Sequence, residues 1–359
     1  MQLKLKTDEL KNAVNKVVKG MGNNKLLPIT EMLGINVEQN VLKLVSTDGS
    51  TKVQVYLGVE GNNETFSFVV NGKSFSQLVA KTTSEFVTLI IEKEKMTLRG
   101  NGTYSFSFPS DEDGNLIKLS PILIDVHTDQ KEVLVSTAEL QRSYNVNKFS
   151  IAETNEIMAY TGFYYDKDGS ITTNSLKISY INNSLFETPV LLNGKFASLF
   201  SILSGDETSV FQNNSELMLV SGNVSILGYK MTEVVDFPID DIKPFLANDL
   251  PHKVRLNKKA LLNLLERIAV FVTPFDKGSI KVDFTKEGLR VWTLDDVNNE
   301  LIPYTDSENL EESSIKVDVT NFKDLVSSNP EDELVIMYGN PSAIKMTFGN
   351  VSQVLALVN

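Results

Sequence analysis

The sequence contains no cysteine, only two histidines, one tryptophan and no long apolar run. Without cysteine there is no disulfide framework and no thiolate metal site. Because no stretch of about 18 apolar residues occurs, the sequence predicts no membrane-spanning helix. The first residues, MQLKLKTDEL, also lack the apolar core of a signal peptide. We therefore expect a cytoplasmic protein.

Acidic residues outnumber basic ones, with 46 Asp and Glu against 34 Lys and Arg and a net charge of −12. Phosphate contacts need clustered Lys and Arg, so this balance argues against a sequence-specific DNA-binding protein. It leaves open a protein whose basic residues are confined to one surface. The 359 residues, of which 42% are hydrophobic, are enough for two or three domains that each bury a core.

Motifs of catalysis and metal binding are incomplete in this sequence. Residues 72–74, Gly-Lys-Ser, match the end of a phosphate-binding loop, but Ser67 stands where that loop needs its first glycine. Residues 111–115 and 166–170 open like calcium loops, yet both lack the glutamate that the twelfth position requires. We expect no enzymatic activity, no metal and no cofactor.

A repeat of domain size runs through the chain. The Asn-Gly-Lys of residues 71–73 returns at residues 193–195, each time before an apolar helical pattern. The two lysine positions differ by 195 − 73 = 122, which suits a duplicated domain rather than a solenoid unit. A nucleotide site would not be repeated with Phe196 in place of its metal-binding hydroxyl, so the motif needs another explanation.

The strand and helix that open the chain occur three times. Equivalent leucines mark the three helices: Leu10, Leu140 and Leu261. Thr7 is the predicted N-cap of the first helix, and Asn257 stands where Thr137 stands in the second copy. A third copy of the Asn-Gly-Lys element, beginning at Lys316, keeps the strand and helix but loses the Gly and Lys.

We therefore predict an α+β protein of three repeated domains, each with two short helices and antiparallel strands. The predicted domains are residues 1–126, 127–250 and 251–359. Their boundaries fall near residues 124–130 and 247–252. His127 and His252 lie at these boundaries with no His or Cys nearby in sequence, which indicates linker or surface positions.

Basic residues lie on the predicted helices, opposite the apolar faces, whereas acidic residues crowd into turns. Lysine is a common solvated residue of helices, which explains any one of these positions by itself. Their recurrence in several copies favours a basic surface formed by the helices of an acidic protein. The residues concerned are Lys16, Lys73, Lys81, Arg142, Lys148 and Lys195.

Three α+β copies of this kind resemble the bacterial sliding clamp, the beta subunit of DNA polymerase III, over the whole chain. The most specific local match is residues 27–55, with Leu-Pro-Ile at the start and a Thr-Asp pair in LVSTDGS. Residues 237–246, FPIDDIKPFL, resemble the segment that ends the family's middle domain. The similarity lies in pattern more than identity, which suggests a divergent bacterial or phage-encoded protein, acting in the host cytoplasm in the latter case.

The resemblance implies a polymerase processivity factor in which a head-to-tail homodimer forms a ring around duplex DNA. Helices would line the ring interior, with antiparallel sheets outside. At roughly 10 Å for each of about twelve helices, the inner circumference is about 120 Å and the diameter about 40 Å, wider than a duplex. The helix-borne cations would contact phosphates without sequence preference, which permits sliding. Lys25 matches a DNA-contacting arginine of the family.

Two protein-binding surfaces follow from the same resemblance. Ring closure would bring Phe106 and Phe108, exposed at an edge strand, against Phe271 and Val272 of a second copy. Family clamps also bind the polymerase and the clamp loader through a hydrophobic peptide pocket between the middle and last domains. The implied pocket residues are Tyr160, Thr173, Ser175, Leu176, Lys177, Ile178, Pro238, Ile242, Leu355 and Leu357.

Residues 173–178, TNSLKI, keep the apolar character of the family's Thr-Asp-Gly-His-Arg-Leu segment but not its polar details. The preferred partner peptide therefore stays open. Three other interpretations also stay open: a clamp-like scaffold that binds proteins but no longer encircles DNA, a β-rich structural protein such as a virion component, and an enzyme. The helix-borne lysines argue against the second, and only the incomplete Gly-Lys-Ser motif supports the third.

Overall fold

The computed structural model describes residues 1–59, 64–123, 131–154 and 156–358. These residues form short helices and antiparallel sheets, which confirms the predicted α+β class. The chain divides into two compact units: Met1–Ala138 with Ser198–Lys230, and Glu139–Ala197 with Met231–Asn359. The predicted boundary at residues 124–130, together with His127, lies outside the described residues.

The helices and strands are short throughout the described residues. The α-helices are α1 (Thr7–Val17), α2 (Gly72–Lys81), α3 (Thr137–Asn147), α4 (Gly194–Ser198), α5 (Ile239–Ala247), α6 (Lys258–Ala269) and α7 (Val319–Ser328). The strands are β1 (Gln2–Lys6), β2 (Met32–Glu38), β3 (Val41–Thr47), β4 (Thr51–Gly58), β5 (Phe66–Asn71), β6 (Phe86–Ile91), β7 (Lys95–Arg99), β8 (Thr103–Ser107), β9 (Val133–Ser136), β10 (Gly162–Asp166), β11 (Gly169–Thr173), β12 (Lys177–Ile181), β13 (Val190–Asn193), β14 (Glu207–Gln212), β15 (Glu216–Ser221), β16 (Val224–Tyr229), β17 (His252–Asn257), β18 (Ser279–Phe284), β19 (Leu289–Trp292), β20 (Asn299–Ile302), β21 (Asp306–Glu308), β22 (Ser313–Asp318), β23 (Glu333–Tyr338), β24 (Ala343–Phe348) and β25 (Val351–Ala356).

The first unit contains an eight-stranded antiparallel sheet with the order β5-β2-β3-β4-β16-β15-β14-β9. Its two halves come from distant parts of the chain and join where β4 pairs with β16, with Gln54 opposite Ser225. A second sheet has the order β1-β6-β7-β8, so β8 is an edge strand. Helices α1 and α2 pack against each other, and α1 covers β3 and β4.

The second unit follows the same plan. Its nine-stranded sheet has the order β13-β10-β11-β12-β25-β24-β23-β17-β21, and the halves join where β12 pairs with β25, with Tyr180 opposite Ser352. A four-stranded sheet has the order β20-β19-β18-β22, which leaves β20 at an edge. Helices α6 and α7 pack against each other over a core that includes Leu261 and Phe322.

The predicted repeat is present in the way that the second helix of each copy begins. Asn71, Asn193 and Asp318 each end a strand, and each side-chain Oδ1 accepts a hydrogen bond from the backbone N–H three residues on. The three distances are 2.9, 2.8 and 2.7 Å. An oxygen at this position satisfies one of the free N–H groups of the first helical turn. The third copy has therefore lost Gly and Lys but kept the cap.

The first helices also repeat, with one correction to the predicted caps. Leu10, Leu140 and Leu261 are all fully buried. The prediction that Thr7 caps α1 is wrong, because α1 begins at Thr7 itself and the preceding Lys6 makes no side-chain cap. Asn257 does cap α6, accepting from the Ala260 N–H at 2.9 Å, so it corresponds to Lys6 rather than to Thr137.

Candidate functional site

Three of the predicted DNA-facing lysines are exposed, one in a turn and two near the ends of a helix. Lys25 lies in a turn closed by a 3.0 Å hydrogen bond from the Leu27 N–H to the Asn24 carbonyl. Lys73 is the second residue of α2 and Lys81 the last. All three side chains are exposed to solvent.

Lys16 has a different environment from the one that the sequence predicted. Its Nζ donates to Ser204 Oγ at 3.2 Å and lies 3.5 Å from Asn223 Oδ1. Burial lowers the pKa of this lysine below its ordinary value. Lys16 thus connects α1 with the segment after α4 and with the β15–β16 turn.

The predicted cations of the second unit differ in exposure. Lys195, the second residue of α4, is exposed. Arg142 is half-buried, with its Nη1 3.6 Å from Glu139 Oε2. Lys148 is half-buried over the rings of Tyr144 and Phe149, at 5.5 and 5.2 Å from their centres. Of these three residues, only Lys195 is exposed.

Local packing explains the glycine in the first copy of Asn-Gly-Lys. A Cβ on Gly72 would overlap the Met21 side chain and lie 3.1 Å from the Glu31 carbonyl oxygen, so this glycine is required for close approach. Gly72 has no positive φ, so glycine is required here by the lack of space for a side chain and not by the backbone conformation. Asn71 caps the helix, and Lys73 follows at its exposed first turn.

The residues expected to form a peptide pocket lie on two opposite faces of the nine-stranded sheet of the second unit. Ile178 and Ile242 belong to one apolar cluster, with Tyr164, Ile171 and Phe237. Leu355 is fully buried in the other cluster, with Leu261 and Phe322 beneath the helices. Because side chains alternate along a strand, Val354 lies on the face of Ile178, its direct cross-strand partner.

Leu355 is therefore unavailable to line a surface pocket, and Leu357 packs against the same helix-side core. The assignment of Leu355 is therefore corrected, whereas Leu357 is half-buried and lines another cavity, so its role stays a prediction. Tyr160 lies half-buried in the 3-10 helix Met158–Thr161, and Pro238 is half-buried immediately before α5.

The turn between β11 and β12 is held by its own side chains. Asn174 Oδ1 accepts from the N–H groups of Leu176 and Lys177, at 3.1 and 2.9 Å. Thr173 Oγ1 accepts from the Ser175 N–H at 3.1 Å and donates to the Lys177 carbonyl at 3.0 Å. Ser175 adopts φ 74°, a conformation that favours glycine. The turn presents Leu176, whose side chain is half exposed.

Lys177 turns away from this surface. Its side chain is buried, and its Nζ lies 2.6 Å from Asp324 Oδ2 on α7. A buried ammonium group needs such a partner because removing an unpaired charge from water costs several kcal/mol. Lys177 therefore fixes the start of β12 and is not displayed to a partner.

An apolar cavity of about 210 Å³ opens where α5 ends over the nine-stranded sheet. Its lining includes Pro244 and Phe245 of α5, Leu250, Ala343 and Val354. Sequence analysis did not single out these residues, although Pro244 and Phe245 lie within the FPIDDIKPFL segment.

Lys345, buried at one side of this cavity, holds α5 in place. Its Nζ donates to the carbonyls of Leu246 and Asn248 at 2.8 and 3.3 Å, and lies 3.4 Å from Asp249 Oδ1. A cation at a helix C-terminus satisfies free carbonyls and complements the helix dipole.

The aromatic residues expected at an exposed edge are packed within the first unit. Phe108 is buried, with its ring centre 4.1 Å from that of Phe68. Phe106 is half-buried, 5.6 Å from Phe75. The expected exposure of these two residues is therefore wrong.

The other predicted interface residues follow α6 in the second unit. Phe271 is 54% exposed, and Val270 beside it is 78% exposed, so an apolar surface does lie there. Val272 is half-buried against the core of this unit.

The described residues contain no group of three or more His, Cys, Asp or Glu side chains that could hold a metal ion. None of the helices in this part of the chain is long and apolar enough to cross a membrane.

The first part of the chain matches a known family model. Residues 1–115 match the family model described as DNA polymerase III beta subunit, N-terminal domain. A search of curated proteins found no match.

Solved structures resemble the whole chain. The DNA polymerase sliding clamp from Bacillus subtilis has 15% identity and a TM-score of 0.83, over 100% of this chain and 99% of that chain. The beta subunit of Streptococcus pyogenes has 15% identity and a TM-score of 0.84, over 100% of both. That of Thermotoga maritima has 16% identity and a TM-score of 0.84, over 100% and 99%. The predicted resemblance is therefore confirmed: residues 1–115 match the N-terminal domain of the DNA polymerase III beta subunit, and the whole chain has the fold of a bacterial sliding clamp.

Proposed function

We propose that this protein is a polymerase processivity factor without enzymatic activity, and that two copies close head to tail into a ring around duplex DNA. The fold supports the general function. The proposal of a ring rests on the pairing of sheet edges within the chain, because the same pairing can be continued between two copies.

Two strand pairs inside the chain are equivalent. Met32, Gly162 and Ser279 each lie opposite the residue that caps the second helix of their copy. Two residues further along these strands lie Gly34, Tyr164 and Lys281. From them the register of the next two strands leads to Gln54, Tyr180 and Asn299. The first two pair with Ser225 and Ser352, respectively.

Asn299, on the edge strand β20, has no such partner among the described residues. Its expected partner follows from the other half of each copy. In the second and third copies, the cross-strand partners can be followed from the strand before the first helix to Ser225 and Ser352. Following the equivalent partners in the first copy leads to Thr103, on the edge strand β8. We therefore propose that β20 of one copy pairs with β8 of another, with Asn299 opposite Thr103.

The same equivalence supports three domains of about the proposed extent, residues 1–126, 127–250 and 251–359. Each would contribute one half-sheet to each of two neighbouring junctions. A two-copy ring would then have six junctions of one kind, four within the chains and two between them.

DNA would be held by sparse contacts from the helices. Lys25, Lys73 and Lys195 are exposed and carried by defined backbone, which suits transient phosphate contacts. Retention by topology needs little affinity, and a net charge of −12 disfavours binding elsewhere on the surface.

A partner peptide of the polymerase or the clamp loader would bind on the face of the nine-stranded sheet that carries Ile178 and Val354. The exposed Leu176 and the cavity beside Phe245 support this position. Lys177 would act by positioning the β11–β12 turn, because its ammonium group is already paired with Asp324.

A clamp-like scaffold that no longer encircles DNA is the alternative. It is favoured by the burial of Lys16 and by the aromatic packing of Lys148, which reduce the set of available cations.

Retention on DNA of two shapes separates these functions. The protein is loaded, with a clamp loader if needed, onto nicked circular DNA, which is then linearised while release is followed. A ring stays on circles and leaves linear ends. Release that depends on salt but not on linearisation would overturn encirclement, and absence of binding with an active loader would favour the scaffold.

A further inference from the structure

The turn that presents Leu176 has a counterpart in the first unit. Thr47 Oγ1 donates to the Thr51 carbonyl at 2.7 Å and accepts from the Gly49 N–H at 3.1 Å. Asp48 Oδ1 accepts from the N–H groups of Ser50 and Thr51, at 2.9 and 2.7 Å. Thr173, Asn174 and Ser175 make the same set of bonds, so Ser50 occupies the place of Leu176.

A cavity of about 240 Å³ lies beside this counterpart turn, where β4 joins β16. Gly49 and Lys52 line one side, and Leu227 and Tyr229 line the other. Leu227 lies opposite Lys52 as Val354 lies opposite Ile178. Tyr229 is 55% exposed, so an aromatic wall faces solvent at a position equivalent to the proposed peptide surface.

The charge of this cavity distinguishes it from the surface around Ile178. Lys52 stands where the second unit has Ile178, and its Nζ donates to the Ser120 carbonyl at 3.1 Å. Partial burial lowers its pKa. No carboxylate of the described residues lies within 4.0 Å of this Nζ. Glu216, which also lines the cavity, instead accepts from Asn213 Nδ2 at 3.2 Å.

We propose that this cavity is a second docking site, for a partner peptide that carries an aromatic or aliphatic side chain next to a carboxylate. The apolar side chain would pack between Leu227 and Tyr229, and the carboxylate would pair with Lys52. A half-buried ammonium group that no carboxylate of the described residues approaches favours a carboxylate over an amide of the same shape. The inference rests on the proposed function only in taking the equivalent turn around Leu176 as a peptide site.

The absence of cysteine allows a direct test. Ser50→Cys and, separately, Leu176→Cys are labelled with a trifluoromethyl group, so that equivalent positions of the two turns report by fluorine NMR. The probe is acetyl-Leu-Phe-Asp-amide, and acetyl-Leu-Phe-Asn-amide is its uncharged match. We expect a saturable shift of the tag at position 50, with the Asp peptide binding at least about fivefold more tightly than the Asn peptide.

Variants then assign the contacts. Lys52→Met should abolish the preference for Asp while keeping the Asn peptide bound, and Leu227→Gln should weaken both peptides. A shift at position 176 alone would overturn the second site and leave the proposed function intact. No shift at position 50 up to millimolar peptide, or equal affinity for the two peptides there, would also overturn it. The circular-DNA experiment tests ring function independently of either peptide.

Discussion

The ammonium group of Lys177 lies 2.6 Å from the carboxylate of Asp324, although the two residues are 147 positions apart in the chain. Lys177 is buried and Asp324 is one-third exposed. The pair joins the start of β12 to α7, so it links the proposed peptide surface to the helix side of the second unit.

Removing one member of this pair should be costlier than removing both. Asp324→Asn leaves a buried ammonium group without its counterion, and we expect a loss of about 1–3 kcal/mol in the free energy of unfolding. The double variant Lys177→Met with Asp324→Leu should recover most of that loss, because no charge stays buried. Urea unfolding measures both, and additive losses would contradict this account.

The caps of the second helices should contribute individually. Asn71→Ala removes the acceptor for the Ser74 N–H and should cost about 1 kcal/mol, whereas Asn71→Asp should retain most of the stability. Asp318→Asn, which keeps the acceptor for the Asn321 N–H, serves as the matched exchange in the third copy. Equal stability of Asn71→Ala and the unchanged protein would show that the cap is unimportant.

The proposed register between copies can be tested by cross-linking in a chain that has no cysteine of its own. Asn299→Cys with Thr103→Cys should form a disulfide between copies under mild oxidation, because directly opposite residues have Cβ atoms about 4.5–5.5 Å apart. Asn299→Cys with Ser105→Cys, displaced by two residues on the same face, should react more slowly. Faster cross-linking of the displaced pair would exclude this register.

The exposed and the buried lysines should behave differently. Each phosphate contact contributes about 0.9 to the slope of the logarithm of the DNA-binding constant against the logarithm of the salt concentration. We therefore expect shallower slopes for Lys25→Ala, Lys73→Ala and Lys195→Ala. Lys16→Met should instead lower the stability of the first unit without changing the slope, because its Nζ is bonded to Ser204. Titrations at several salt concentrations, with melting curves, separate the two effects. An altered slope for Lys16→Met would return it to the DNA surface.

Substitutions of Leu355 and Leu176 should have different effects, on stability in the first case and on partner binding in the second. Leu355→Ala removes a fully buried side chain and should cost about 2–5 kcal/mol. Leu176→Ala, at a half-exposed position, should leave stability within about 0.5 kcal/mol and weaken binding of a polymerase or loader peptide. Unchanged peptide affinity for Leu176→Ala would remove the turn from the site.

Repetition made the fold predictable from the sequence. Leu10, Leu140 and Leu261 recur because each copy buries one helical face against its sheet, and a 3.6-residue period is visible without a structure. Asn71 and Asn193 recur because helix ends need acceptors wherever they occur. These signals are local, and they depend on no distant partner.

The site was less predictable because its side chains depend on partners far along the chain. A shift of one residue on β25 moves a side chain to the other face, which separates Leu355 in the core from Val354 at the cavity. The sequence indicates an ordinary solvated lysine at position 16, because it does not show that Ser204 lies beside it in the fold. Phe108 reads as an edge residue until Phe68 covers it.

The two internal junctions, β4 with β16 and β12 with β25, are each made by strands of one continuous chain. Their strands meet at an effective concentration set by the connecting segments, whatever the amount of protein in solution. The proposed junction of β8 with β20 has no such tether, so its occupancy falls on dilution. A ring of this protein would therefore open at those two places, and a loader that admits DNA would need to act on strand pairing there alone.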